Sequence, residues 1–299
     1  MNILFKKPAL QKVIKFIVGT VSIFFIILYI STNSEFVEIY KNINIYYLYI
    51  VLSLIILRIF LQGIQNYYFY KIANVHLTIM ESINLYLKSI VGNYVSFFQP
   101  GSGYKIAYLK LQHKLSIKDY FFLNIGLTIY RISLYTFLIL IYLVFKEYLK
   151  FVWLALTLSS CIFIFYFFKR YLKKLFYKKF ELNLKIFSFM SIIITIQLLI
   201  NSYIFYLYFK ILYIDNSISD ILVFFLIGTI SDIVKITPGN IGFRESILVL
   251  FQSLHNILPN EILAVSFFAR FTEVVIYSIL TLIFVFFPIK KIKSKSESK

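Results

Sequence analysis

Apolar residues run through this chain in long blocks. The blocks 13–31, 46–66, 119–145, 151–168, 186–209 and 262–287 approach or exceed the ~20 residues with which an α-helix crosses a hydrocarbon core. A transmembrane barrel would alternate polar and apolar positions. Runs such as Ile17–Ile30 and Ile192–Ile200 do not alternate. The pattern predicts an all-α membrane bundle with six full spans.

Two further apolar regions, 83–98 and 221–236, are shorter, and each runs into a Pro-Gly pair and then a second short segment. The first continues Pro100-Gly101-Ser102-Gly103-Tyr104-Lys105, the second Pro238-Gly239-Asn240-Ile241-Gly242-Phe243-Arg244-Glu245. Proline removes a helical hydrogen bond and glycine permits a sharp turn, so both helices are expected to break there.

Basic residues set the threading, because Lys and Arg accumulate on the cytoplasmic side of a membrane. The block Lys169, Arg170, Lys173, Lys174, Lys178, Lys179 and Lys185 is read as cytoplasmic. So are the tail after Lys290 and the cluster Lys6, Lys7, Lys12 and Lys15. If 83–117 and 221–254 each dip in and return to their own side, only Lys41, Lys146, Lys150 and Lys210 lie outside. The expected architecture is therefore six spans plus two re-entrant broken hairpins, with both termini cytoplasmic. Eight full crossings are the competing arrangement. The N-terminal apolar run lacks a small-residue cleavage site after Tyr29-Ile30-Ser31-Thr32-Asn33, and is expected to be an uncleaved anchor.

Composition agrees: 60% of the 299 residues are hydrophobic, 15% are charged, and the formal net charge is +18. No stretch is long and polar enough for a soluble domain, so residues 1–299 are read as one transmembrane domain. The heavy use of Ile, Lys, Asn, Phe and Tyr resembles an AT-rich genome, which accounts for part of the charge. The basic stretch 169–185 is assigned to an anionic lipid surface, not to nucleic acid. The expected location is the plasma (inner) membrane of a bacterium. Cys161 is the sole cysteine and cannot form an intrachain disulfide; His76, His113 and His255 have no metal-ligand spacing. No phosphate-binding Gly-rich loop, HExxH or GxSxG is present. No cofactor, metal or catalytic residue is expected, and the chain is read as a non-enzyme.

The two broken regions resemble each other. Val91-Gly92-Asn93-Tyr94 precedes the first break and Ile227-Gly228-Thr229-Ile230 the second. Gly103-Tyr104-Lys105 and Gly242-Phe243-Arg244 follow as small-aromatic-basic triplets. Each copy then leads into a helix with one arginine, Arg131 or Arg270, 31 or 32 residues after its proline. Repeat units of approximately 83–145 and 221–287, entering from opposite sides, have the form of a transporter's inverted repeat. Broken helices there expose half-helix N-termini, which favour anions.

Charged residues inside apolar segments are expensive, at about 2.5–3.5 kcal/mol each near the bilayer centre, and mark candidate sites. Asp232, Lys235, Arg244, Glu245, Arg270 and Glu273 lie in or beside the second repeat. The spacing puts Asp232 with Lys235, and Arg270 with Glu273, three apart on one helix face. Lys105 and Arg131 in the first repeat lack an equally buried acid in sequence. This excess of positive charge suits a phosphate or other anionic head group. Arg58, late in its apolar block, is expected to snorkel to the inner interface.

Ile236-Thr237-Pro238-Gly239-Asn240-Ile241-Gly242-Phe243-Arg244-Glu245 resembles the "TPGGxGxxE" signature of the lysylphosphatidylglycerol synthase transmembrane-region family, a flippase-like group. Gly92-Asn93 through Phe98-Gln99-Pro100-Gly101 resembles its earlier "N…lP…G" motif, and Arg131 and Arg270 match its helical arginines. The resemblance covers roughly residues 10–290. Pro238, Gly239, Gly242 and Glu245 are carried over from it. Asn240 replaces the middle glycine and still tolerates left-handed backbone. Tyr104 and Ala107 stand where the first motif commonly has an acid and an arginine, so no acidic site is carried over there. Larger members continue into a soluble aminoacyl-transferase domain. This chain ends in a Lys/Ser tail and is expected not to attach lysine itself.

The resemblance implies translocation of a lipid or lipid-linked head group, anionic or zwitterionic, with an anionic phospholipid or a lipid-linked glycan as partner. The alternative is a non-transporting accessory for a separate glycosyltransferase or lipid-modifying synthase. The candidate substrate-binding residues are Pro100, Gly101, Gly103, Lys105, Arg131, Asp232, Lys235, Thr237, Pro238, Gly239, Gly242, Arg244, Glu245, Arg270 and Glu273.

Overall fold

The structure, a computed structural model, describes residues 39–95, 100–145, 184–232, 240 and 242–286. Every regular element among them is helical: α1 (Ile45–Ile72), α2 (Ile79–Val95), α3 (Pro100–His113), α4 (Ile117–Phe145), α5 (Leu184–Ile211), α6 (Ile218–Ser231), α7 (Phe243–Leu250), α8 (Gln252–His255) and α9 (Pro259–Phe286). The expected spans 13–31 and 151–168, the terminal lysine clusters, Cys161 and nearly all of 169–185 lie outside the described residues.

Among the described residues, three helical stretches are long and apolar enough to cross a membrane: Ile45–Ile72, Ser188–Ile211 and Pro259–Phe284. They coincide with the apolar blocks 46–66, 186–209 and 262–287, and α4 covers the block 119–145. Helix α1 continues six residues past its apolar block, because Gln65 and Asn66 do not end it. Both are buried, at 0% and 4% exposure, and turn their polarity toward neighbouring helices. The side chains sort by face, as helical spacing requires. On α1, Val51, Ile55, Ile59 and Gly63 recur every four residues on the buried side. On α9, Phe271, Val275, Ile279 and Leu282 form the outward stripe, suited to acyl chains.

Because lipid is as apolar as leucine, close approach and polar contacts hold such helices together more than apolar burial does. Helices α2 and α3 run antiparallel as a tight hairpin. A Cβ on Gly101 would sit inside the Ser89 carbonyl, and one on Gly92 would lie 2.9 Å from the Gly101 backbone. Near the tip, the Ser102 backbone N–H donates to Asn93 Oδ1 at 3.0 Å, and Asn93 Nδ2 donates to Ser102 Oγ at 3.2 Å. At the open end, Thr78 and Glu81 form a capping box: the Glu81 N–H donates to Thr78 Oγ1 at 3.1 Å, and the Thr78 N–H donates to Glu81 Oε2 at 3.3 Å. Tyr108 and His113 of α3 both donate to Glu81 Oε1, closing the mouth of the hairpin. Burial pushes the Glu81 carboxyl up, but the bonds from His113, Tyr108 and the Thr78 N–H outweigh it, so it titrates below its ordinary value.

Helices α6 and α7–α8 form a second antiparallel hairpin. Gly228 of α6 faces Arg244 of α7, and the Phe224 ring meets His255 edge-on at 5.7 Å. The two hairpins open toward opposite ends of the bundle. Phe69, Tyr70, Val75, Leu77, Leu109, Leu115 and Tyr120 pack where α1 ends, α2 starts, α3 ends and α4 starts. At the other end, the Asn44 N–H donates to the Ile211 carbonyl at 3.1 Å, and Asn216 donates to Glu261 at 3.3 Å. That end therefore holds the start of α1, the end of α5 and the starts of α6 and α9. The main apolar core, with Phe209, Phe224, Tyr208 and Tyr277 fully buried, lies among α1, α5, α6 and α9.

A candidate head-group site at the second helix break

The break after α6 is made by backbone geometry that few residues accept. Asn240 sits at φ +59° and Gly242 at φ +83°. The first is tolerable for asparagine, as its side chain bonds locally, and the second is best suited to glycine. Asn240 Nδ2 donates to the Ser231 carbonyl at 2.9 Å and to Asp232 Oδ1 at 3.2 Å, tying the turn to the end of α6. Gly242 then opens α7, whose first N–H groups have no helical partner.

Glu245 answers that need and does a second thing. Its Oε2 accepts from the Gly242 N–H at 2.8 Å. Its Oε1 accepts from Arg270 of α9, at 3.2 Å from Nε and 3.1 Å from Nη2. Arg270 Nη2 also donates to the Asn240 carbonyl at 3.2 Å. One carboxylate thus links the helix start, the turn and the neighbouring long helix. Beside it, Arg244 Nη1 donates to Asp232 Oδ2 at 3.1 Å, and the guanidinium lies over the Phe205 ring, 5.0 Å from its centroid. Gly228 leaves it that room. Arg244, Glu245 and Arg270 are buried at 8%, 3% and 8% exposure.

An open groove of about 450 Å³ runs alongside, lined by Gly242, Glu245, Ser246, Val249, Leu250, Leu263 and Phe267. Its lining is mostly apolar, with Glu245 and Ser246 as the polar side chains. The profile described as "Lysylphosphatidylglycerol synthase TM region" matches residues 13–281. The chain belongs to this family. No curated protein and no solved structure shows a significant match to it. Membership places the chain among integral membrane proteins linked to lipid modification or flipping.

In this member of the family, the structure gathers Asp232, Gly242, Arg244, Glu245 and Arg270 into one cluster. Lys235, Thr237, Pro238 and Gly239 lie outside the described residues. The other candidates sit elsewhere. Pro100 begins α3 and is exposed, Gly101 is packed on Ser89, and Gly103 is exposed inside the helix. The two small-aromatic-basic triplets therefore occupy different structural places: Gly242 precedes its helix, whereas Gly103 lies within one. Lys105 has its ammonium 5.4 Å from the centre of the Tyr70 ring.

The charged residues of the second repeat find partners beyond their own helix turn. Asp232, which caps α6, pairs with Arg244 across the break. Glu273, expected to share a face with Arg270, bonds Arg58 of α1, with Nη1 at 2.9 Å from Oε1. Arg58 does not snorkel. It falls near the middle of a 28-residue helix, about 20 Å from either end at 1.5 Å per residue, farther than an arginine reaches. It also donates to Asn201 of α5 at 3.1 Å and to the Tyr277 hydroxyl of α9. Thus Arg58, Asn201, Glu273 and Tyr277 tie three long helices together at mid-depth. Sequence reasoning missed this group, although one buried base opposite one buried acid was the available signal.

Proposed function

We propose that this membrane region is a flippase-like transporter, and not an enzyme, that moves a lipid or lipid-linked head group, anionic or zwitterionic, between leaflets. The observation that carries the reading is the buried Arg270–Glu245 pair with Arg244–Asp232 beside it, the aspartate half-exposed, at a helix break next to a mainly apolar groove that Glu245 and Ser246 also line. An incoming anionic group competes with carboxylates for guanidinium donors, which suit phosphate and carboxylate alike. The apolar lining from Val249 to Phe267 accommodates the tails meanwhile. A second support is the pair of hairpins opening toward opposite ends of the bundle. In each, a glycine of the inward arm, Gly92 or Gly228, faces the returning arm. This supports reading the two as re-entrant hairpins of an inverted repeat, within a bundle of six spans whose termini we place on the cytoplasmic side of a bacterial plasma membrane.

Purified protein in liposomes carrying a fluorescent phospholipid tests the activity, with dithionite quenching only the outer leaflet. Wild type is expected to expose the inner-leaflet label, and Arg244→Ala, Glu245→Ala and Arg270→Ala to leave it protected while still inserting. Normal movement in all three variants ends the proposal. The topology has its own test. In a Cys161→Ser background, an impermeant thiol reagent on intact cells is expected to label a cysteine at Asn256 and spare one at Ser116. Labelling of Ser116 from outside would make the first hairpin a full crossing.

A further inference from the structure

The arginines inside this bundle are not equally neutralised. Arg244 has Asp232, Arg270 has Glu245 and Arg58 has Glu273. Arg131 differs. It is the middle residue of the 29-residue α4, about 21 Å from either end at 1.5 Å per residue, so its guanidinium cannot reach an interface. Its hydrogen bonds go to two neutral amides of α1: Nη2 donates to Gln65 Oε1 at 2.8 Å and, at 3.4 Å, to Gln62 Oε1. Among the described residues, no carboxylate lies within ion-pairing distance of it.

Gln65 supplies an independent observation. It is 0% exposed, and its Oε1 accepts from both Arg131 and Gln62 Nε2, the latter at 3.0 Å. These two donors fix the orientation of the amide, so its NH2 group points the other way. Yet Gln65 Nε2 has no hydrogen-bond partner among the described residues. A fully buried donor left so costs about 1–3 kcal/mol, and an unneutralised guanidinium at mid-depth costs more. Both deficits have the same sign. Each asks for an acceptor, and the guanidinium asks for one carrying negative charge. Tyr86 of α2 and Tyr135 of α4 are titratable neighbours of Arg131.

We infer that Arg131 and Gln65 form a second anion-binding site, separate from the Glu245 cluster, that takes a phosphate-type oxyanion. A planar guanidinium fork with an amide N–H beside it matches two oxygens on one phosphorus. A carboxylate-bearing cluster such as Glu245–Arg270 admits an anion only by displacing its own acid, whereas Arg131 has none to displace among the described residues. Of the two clusters, the Arg131 site should therefore bind an anion more tightly. The inference deepens the transport reading by naming the class of group recognised, and binding is measured without transport, so the two stand or fall separately.

The test is thermal stabilisation of the detergent-purified chain by phosphatidylglycerol, by inorganic phosphate and by a neutral galactolipid. Wild type is expected to be stabilised by phosphatidylglycerol and not by the galactolipid. Arg131→Gln is expected to weaken the effect at least tenfold. Gln65→Glu places a carboxylate within reach of the guanidinium, so it should raise the stability of the lipid-free protein and abolish the response to lipid. That variant keeps the question decidable if Arg131→Gln does not fold. If inorganic phosphate gives the Arg131-dependent effect and phosphatidylglycerol does not, the site takes free phosphate. If phosphatidylglycerol and phosphate stabilise both variants as they do wild type, or stabilise nothing, the site does not exist. Absence of translocation by the wild-type protein, with its Arg131-dependent binding intact, would remove the transport reading and leave this one.

Discussion

Arg270→Ala is expected to destabilise the bundle by about 3–5 kcal/mol, because it strands Glu245 as a buried, uncompensated charge. Glu245 is 3% exposed, and its second oxygen holds the N–H of Gly242 at 2.8 Å, so it cannot swing out to water without uncapping α7. The Asn240 carbonyl loses its guanidinium donor in the same step. Unfolding in mixed micelles, followed by circular dichroism, measures the loss. The double variant Arg270→Met with Glu245→Gln separates stability from function. Glutamine still accepts from Gly242, and no charge remains buried in that pair, so most of the lost stability should return. Head-group movement should not return. A double variant as unstable as Arg270→Ala would mean that the ion pair is not what holds the break together. A double variant that moves lipid normally would mean that the pair has no part in transport.

The second large effect is expected at mid-bundle. Arg58→Leu leaves Glu273 without its 2.9 Å partner and frees Asn201 and Tyr277 from the same guanidinium. A cost of about 3–5 kcal/mol follows for breaking one side of a buried pair. Replacing both partners, Arg58→Leu with Glu273→Leu, removes the charge problem. It forfeits the hydrogen bonds to Asn201 and Tyr277, worth about 0.6 kcal/mol each in membrane helices. The double variant should therefore lie within about 2 kcal/mol of wild type. A strictly additive double-mutant cycle would show that Arg58 and Glu273 act independently, and would remove the link between α1 and α9.

The breaks and the ion pairs were not equally legible. Asn240 was readable because a left-handed turn needs glycine or a residue that can imitate it, and asparagine can. The end of α1 was misjudged because Gln62, Gln65 and Asn66 look like the exit from an apolar span. In the fold they face helices that make use of their amides. Arg58 was misjudged with it, since a helix ending at residue 66 would put that arginine near an interface and one ending at 72 puts it at the centre. Glu273 was given the wrong partner because i, i+3 spacing is visible in a sequence and a neighbour 215 positions away is not.

By itself, then, the sequence determined where the described helices run and where they break, because apolar length, proline and positive-φ tolerance act over a few neighbouring residues. It also singled out Arg244, Glu245 and Arg270, charges in or beside apolar segments that the fold does bury, while it misplaced Arg58. Only the tertiary structure decided who neutralises whom. Arg270 found Glu245, Arg244 found Asp232, Arg58 found Glu273, and Arg131 found two neutral glutamines. Ion pairs form between helix faces brought within about 4 Å, and which faces meet is set by packing across the whole bundle.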